Sequence, residues 1–195
     1  MSERKATVAR TTAETDIELT LHLDGTGTAD IETGLGFFDH MLTALARHAR
    51  FDLSLRCQGD LEVDDHHTVE DCAIALGSAL DEALGERRGI TRFGHAYAPL
   101  DEALARVVID LSGRPAPVVD LGLTRSMIGS VACENLHHVF VTFANNAQAA
   151  VHVDVLRGDN DHHRAEAAFK ALALALRQAV ARDGTDDVPS TKGVL

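Results

Sequence analysis

The chain is poor in several things. It has no tryptophan, one tyrosine, three cysteines, and 18 lysines and arginines against 30 aspartates and glutamates, for a formal charge of −12 over 195 residues. No run approaches the ~18 consecutive apolar residues that a membrane-spanning helix needs. The opening Met1-Ser2-Glu3-Arg4-Lys5 leads into polar sequence rather than an apolar signal core, so the expected location is cytoplasmic. Cys57, Cys72 and Cys133 are odd in number, widely spaced and not in C-x-x-C form, which argues against a disulfide framework or zinc ribbon and for buried or inert thiols. Without a block of basic residues, nucleic acid and membrane surfaces are disfavoured partners, because both are bound through many clustered positive charges. Small ligands remain open. Folding at this length buries roughly 70% of the unfolded surface, so no disulfide or structural metal is needed for stability. Any metal is there for another reason.

What the chain has in unusual amount is histidine, eleven residues of it. Their setting follows from the patterning. Between Ala6 and Ile31 short runs alternate, as in Ile17-Leu19-Leu21-Leu23, broken by Asp24-Gly25 and Gly27. This predicts three short antiparallel strands joined by tight turns. Phe38, Met41, Leu42 and Leu45 share one face of a helix over Phe37 to His48, and Phe51, Leu53 and Leu55 alternate in a strand. A second helical stripe, Val69, Ala73, Leu76, Leu80 and Leu84, begins after the acidic Asp64-Asp65 and stops at Gly85 and Gly89. The pattern then starts again. Strands are predicted near Arg92 to Ala98, Leu104 to Leu111 and Pro117 to Leu121, then a helix over Val131 to Asn145, a strand over Ala149 to Leu156 and a helix from His162 to Arg182.

Each half thus reads βββαβα. The fold class expected is α+β, with duplicated half-domains over 1–89 and 90–195, each a four-stranded sheet with helices on one face. The repetition reaches single residues: Asp65-His66-His67-Thr68-Val69-Glu70 and Asp161-His162-His163-Arg164-Ala165-Glu166 share D-H-H-x-x-E at an offset of 96. The first helix of each half carries a further histidine, His40 in one and His137-His138 in the other.

Residues four apart lie on one helix face, so His66 with Glu70 and His162 with Glu166 can each offer an imidazole and a carboxylate to one ion. Adjacent histidines diverge by about 100° on a helix, so a His-His pair is suited to serving two metals rather than one. With His40 and His138 added, the inventory suffices for two sites that draw on both halves. Nitrogen and oxygen donors without thiolate favour Mn, Fe, Co, Ni or Zn. Leaving such imidazoles unliganded at helix N-termini would place them where positive charge is disfavoured. His22, His48, His95 and His152 read as ordinary solvated or hydrogen-bonded side chains.

Phe38-Asp39-His40-Met41, Asp65 to Asp71, Asp110-Leu111-Ser112-Gly113-Arg114-Pro115, Asn160 to Glu166 and Pro189-Ser190-Thr191-Lys192-Gly193 stand in a fixed order. From about Arg10 onward the chain resembles the imidazoleglycerol-phosphate dehydratases of histidine biosynthesis. The resemblance implies an enzyme with two Mn2+ ions per active site, other divalent transition metals being possible. It converts D-erythro-imidazole-glycerol phosphate to imidazole-acetol phosphate. It also implies a homo-oligomer, typically of 24 subunits, with active sites at subunit contacts. The family's ligands fall on His40, His66, His67, Glu70, His138, His162, His163 and Glu166, and its pattern favours His138 over His137. His40, His66 and His162 also border the substrate, and Glu70 and Glu166 belong to the catalytic set.

The reaction removes a proton from a carbon beside an imidazole and an alcohol, where it is barely acidic. Coordination of both ring nitrogens favours an imidazolate that takes up the electrons, which is why two ions are needed. Loss of hydroxide and ketonisation of the enol then complete the dehydration. The proton carrier implied by the resemblance is Glu14, reaching a neighbouring subunit's site. The phosphate needs a local positive pocket, and the resemblance points to Arg92, Arg114, Lys170, Ser190 and Lys192. Lys170, one turn beyond Glu166, also stands on the ligand face. The polar tail is expected to order over bound phosphate. A dinuclear metallohydrolase and a metal-storage or metal-assembled scaffold are the competing classes. The first leans more on Asp, and the second needs no phosphate-directed cations.

Overall fold

The computed structural model describes residues 3–195. Four strands, β1 (Lys5–Thr11), β2 (Thr15–His22), β3 (Ala29–Glu32) and β4 (Asp52–Gly59), form one sheet in the order β1-β2-β4-β3. Helix α1 (Gly36–Ala49) lies between β3 and β4 in sequence, and α2 (His66–Leu84) follows β4. The second half repeats this with β5 (Phe93–Leu100), β6 (Ala103–Asp110), β7 (Ala116–Asp120), α3 (Cys133–Asn146), β10 (Ala150–Arg157) and α4 (Asp161–Ala179), in the sheet order β5-β6-β10-β7. The architecture is the duplicated α+β arrangement that the patterning predicts.

Helices of one half pack on those of the other, α1 on α4 and α2 on α3, while each sheet lays one face on them. The core is therefore a helical layer between two sheets. Ile17, Leu19, Leu21, Leu53 and Leu55 point inward from the first sheet, and Val107, Ile109, Val151 and Val153 from the second. Phe140 and Phe169 meet across the middle with ring centroids 4.8 Å apart. Alternation in the strands and the 3.6-residue stripe in the helices thus bury their apolar positions in one continuous core. The closeness of α2 to α3 depends on Gly77, where a Cβ would stand 2.7 Å from the Phe143 carbonyl oxygen.

Three features differ from the sequence reading. β3 does not continue an antiparallel run but crosses to the far edge of β4 and pairs with it in parallel. Asp52 directs this crossing: its Oδ1 accepts from the backbone N–H groups of Thr26, Gly27 and Thr28 at 2.8–3.1 Å, holding the loop against the start of β4. The second half has an added hairpin, β8 (Met127–Ile128) with β9 (Val131–Ala132), so α3 begins at Cys133 rather than Val131. Finally, α4 ends at Ala179, short of Arg182. The segment after it turns to meet the first residues of the second half, with the Thr91 N–H donating to the Ala181 carbonyl and Asp183 N–H to that of Gly89.

Candidate active site

The paired D-H-H-x-x-E motifs open α2 and α4, and their leading aspartates do not cap those helices. Asp64 and Asn160 do so, each accepting from the N–H of the first histidine, at 2.8 Å for His66 and 2.9 Å for His162. Asp65 instead reaches across the halves to accept from the Ala132 N–H at 2.8 Å. Asp161 accepts from the N–H groups of Thr124 and Arg125. Both motifs thus pin the segment that carries the β8–β9 hairpin and leads into α3, and with it the placement of His138. In α1, Asp39 accepts from the Thr33 N–H at 3.0 Å and its hydroxyl at 2.6 Å, fixing the turn before His40.

Two imidazole–carboxylate clusters result, and each draws on both halves. His40 of α1 meets His162 and Glu166 of α4, with both Nε2 atoms 3.2 Å from Glu166 Oε2. His66 and Glu70 of α2 meet His138 of α3, whose Nε2 is 2.7 Å from Glu70 Oε1, while His66 Nε2 lies 3.7 Å from Oε2. In each group the three donor atoms lie within 4.8 Å of one another. Donors bound at about 2.1 Å to one ion stand roughly 3 Å apart, so both sets fit a divalent metal, and two nitrogens with one oxygen suit a first-row transition ion. The His66 Nδ1–H donates to Asn135 Oδ1 at 2.9 Å, which turns Nε2 toward Glu70. His137 is exposed and lines a separate cavity with Arg125, Cys133 and Glu134.

The Glu166 carboxylate differs from Glu70 in its second oxygen. Lys170 Nζ stands 2.7 Å from Glu166 Oε1, leaving Oε2 to the imidazoles. Burial alone would raise the Glu166 carboxyl above the ordinary range, but hydrogen bonds from Lys170 and His40 bring it below.

His67 and His163 join neither cluster. Each diverges from its neighbour, with ring planes at 73° and 87° to those of His66 and His162. His67 Nδ1 faces Asp60 at 3.0 Å and its Nε2 lies 3.6 Å from Glu14 Oε1. His163 Nδ1 faces Glu102 at 2.8 Å. Both imidazoles are held above the usual histidine range by those carboxylate hydrogen bonds. Glu102 is lowered to about 2, first by His163 and then by the Asn160 N–H.

The cations foreseen for phosphate divide between two places. Arg92 has a left-handed backbone, φ 69°, and its guanidinium is held by Asp110 at 2.6 and 3.0 Å and by the Pro189 carbonyl at 2.7 Å. Arg114 follows β6 in the turn whose Gly113 packs on Leu195, and Ser190 Oγ accepts from the Lys192 N–H at 3.2 Å. These four residues share one corner of the second sheet. That corner lies at the far end of α4, because the Arg92 N–H donates to the Ala179 carbonyl. Ala179 lies thirteen helical steps beyond Glu166, about 20 Å at 1.5 Å per residue. Only Lys170 stands with a cluster. Asp60, Glu102 and Asn135 were not singled out by sequence reasoning. Asn135, one turn ahead of His138 in α3, is the one whose position offered a signal.

The duplicated α+β scaffold thus presents two His2Glu clusters, each able to hold a divalent ion, and a separate cationic corner, an arrangement suited to an enzyme acting on a small anion. A sequence model of imidazoleglycerol-phosphate dehydratase matches residues 33–176, and the chain belongs to that family. It is 52% identical to the imidazoleglycerol-phosphate dehydratase of Kluyveromyces lactis over 216 aligned positions, covering 99% of this chain and 98% of that one. It is 58% identical to a protein of the same name from Phytophthora nicotianae over 98% of its own length, although it spans only 42% of that relative. The crystal structure of the Staphylococcus aureus imidazoleglycerol-phosphate dehydratase superposes with a TM-score of 0.83 at 35% identity, covering 91% of this chain and 98% of that one. Among the described residues no helix is long and apolar enough to cross a membrane.

Proposed function

We propose that the chain dehydrates imidazole-glycerol phosphate to imidazole-acetol phosphate in cytoplasmic histidine biosynthesis, with a divalent ion, Mn2+ by family resemblance, at each cluster. The observation that carries this reading is the pair of His2Glu clusters, His40–His162–Glu166 and His66–Glu70–His138, each with its three donor atoms mutually within 4.8 Å. When bound, such ions supply Lewis acidity to the two nitrogens of an imidazole ring, which makes the adjacent carbon acid removable. The remaining work falls to side chains of the chain itself. Glu14 is a carboxylate outside both clusters, 52% exposed, and it carries the proton at Oε1. Arg92, Arg114, Ser190 and Lys192 bind the phosphate, Arg92 through the N–H groups that Asp110 and the Pro189 carbonyl leave over. Lys170 holds Glu166 ionised with one oxygen directed at the imidazoles.

A single subunit keeps the phosphate corner about 20 Å along α4 from the Glu166 cluster, a span longer than the substrate. His67 and His163, with Glu14 beside the first, face away from both clusters. These separations support a closed homo-oligomer, of 24 subunits by family resemblance, in which one copy supplies His67, His163, Glu14 or the phosphate corner to another copy's cluster. The predominance of imidazole over aspartate in the clusters favours this reading over a dinuclear hydrolase. Incubation of Mn2+-loaded, assembled protein with imidazole-glycerol phosphate is expected to yield imidazole-acetol phosphate; absence of product from assembled protein overturns the proposal.

A further inference from the structure

The second histidine of each D-H-H-x-x-E motif, which lies outside the clusters, is held alike by unlike means. In the first half the Nδ1 partner of His67 is Asp60, in the loop between β4 and α2. In the second half the Nδ1 partner of His163 is Glu102, in the hairpin turn between β5 and β6. By the internal repeat that turn corresponds to the one between β1 and β2, which carries Glu14. The duplicated halves therefore fill one role from two different loops. Glu102 is fixed further, its Oε1 accepting from the Asp159 and Asn160 N–H groups at 3.1 and 2.9 Å. It is committed on both oxygens, whereas Glu14, on the corresponding hairpin, has its carboxylate on the Nε2 side of His67.

We propose that Asp60 and Glu102 are positioning residues for the outward imidazoles, each keeping the proton on Nδ1 so that Nε2 presents its lone pair to an ion held in another copy of the chain. An ionised carboxylate accepts and does not donate, so the nitrogen facing it must be the protonated one, and in a neutral imidazole the other then has a free lone pair. Asp60 thus takes the orienting task that a hairpin carboxylate performs in the second half, and Glu14 stands 3.6 Å from His67 Nε2 much as Asp101 stands 3.9 Å from His163 Nε2. The inference rests on the reading that His67 and His163 are metal ligands.

The test uses full-length Asp60→Asn and Glu102→Gln, with His67→Ala and His163→Ala beside them. Mn2+ affinity is read by chelator competition, ion content by elemental analysis, and folding by the melting of metal-free protein. Orienting partners of metal-bound histidines typically contribute 10–100-fold in affinity. Asp60→Asn and Glu102→Gln are accordingly expected to weaken binding by about tenfold or more, with metal-free melting unchanged, and to raise the Mn2+ needed for half-maximal turnover while kcat at saturating Mn2+ recovers. If His67→Ala and His163→Ala each lose ion affinity but Asp60→Asn and Glu102→Gln keep the wild-type value, the positioning role is overturned and the ligand reading stands. If the alanine variants retain full affinity and ion content, both fall. A loss of affinity matched by an equal loss of metal-free stability also overturns the inference, because it marks a structural role.

Discussion

The two clusters share a motif but not an environment. Glu166 has a side chain only 12% exposed, with Lys170 one turn on, and it gives a single oxygen to its imidazoles. Glu70 is 35% exposed, has Ile74 at the corresponding position, and turns one oxygen to His138 and the other to His66. The two halves share the donor set and differ in the charges around it. The α1–α4 cluster has its carboxylate offset by a built-in cation, while the α2–α3 cluster is more open and has Ile74 where α4 places Lys170.

That contrast can be broken at several points. The largest effect is expected from Glu166→Gln and Glu70→Gln, each of which should remove one bound ion per subunit and lower turnover by about a hundredfold or more, since ion and polarised substrate are lost together. Elemental analysis with steady-state kinetics checks this, and either variant retaining two ions per subunit would dissolve the assignment. The two should differ in the metal-free state. Glu166→Gln leaves a mostly buried ammonium without its counter-charge and should cost about 1–2 kcal/mol more than Glu70→Gln in denaturant unfolding, the partial exposure of the pair keeping the figure below that of a fully buried one. Equal losses would mean that Lys170 does not distinguish the clusters.

Ile74→Lys transplants the cation to the open cluster. Its ammonium should draw one Glu70 oxygen away from the imidazoles and weaken ion binding at that cluster by about tenfold, roughly 1.4 kcal/mol, measured by chelator competition. The smallest effect concerns the sheets. Asp52, which accepts from three backbone N–H groups in the first half, is held below the ordinary carboxylate range chiefly by Thr28 and Thr26. The second-half strand that corresponds to β4 starts at Ala150 and has no such group. A lowered carboxylate contributes above its unfolded value near 3.8 and loses that contribution as pH falls through its lower folded value. Amides of Thr26, Gly27 and Thr28 should thus exchange faster below about pH 4, with no matching change in the loop between β6 and β7.

The helices and the two His–Glu pairs that open α2 and α4 were legible because both depend on short periods: an apolar stripe every three or four residues, and His with Glu at i and i+4. The partnership of His40 with His162 and Glu166 was not, since it depends on how α1 packs on α4. Nor was the crossing of β3, because alternation in a four-residue strand does not reveal which neighbour it will pair with. The β8–β9 hairpin, two residues on each side, has no period to read. Asp60 and Glu102 looked like any surface acids in a chain with 30 of them. Only the fold shows which carboxylate faces an imidazole.

The crossing of ligands between halves bears on how such a chain could have arisen. A half-length protein with one helix like α1 and one like α2 would carry the right histidines and glutamate, yet alone it could not bring them together. Two copies related by a two-fold axis would form both clusters at once. Joining them in one chain replaces a dimerisation that depends on concentration with an encounter at an effective concentration in the millimolar range or above. Fusion thereby keeps both His2Glu clusters assembled even where the protein is scarce, and it frees the two copies of each loop to diverge.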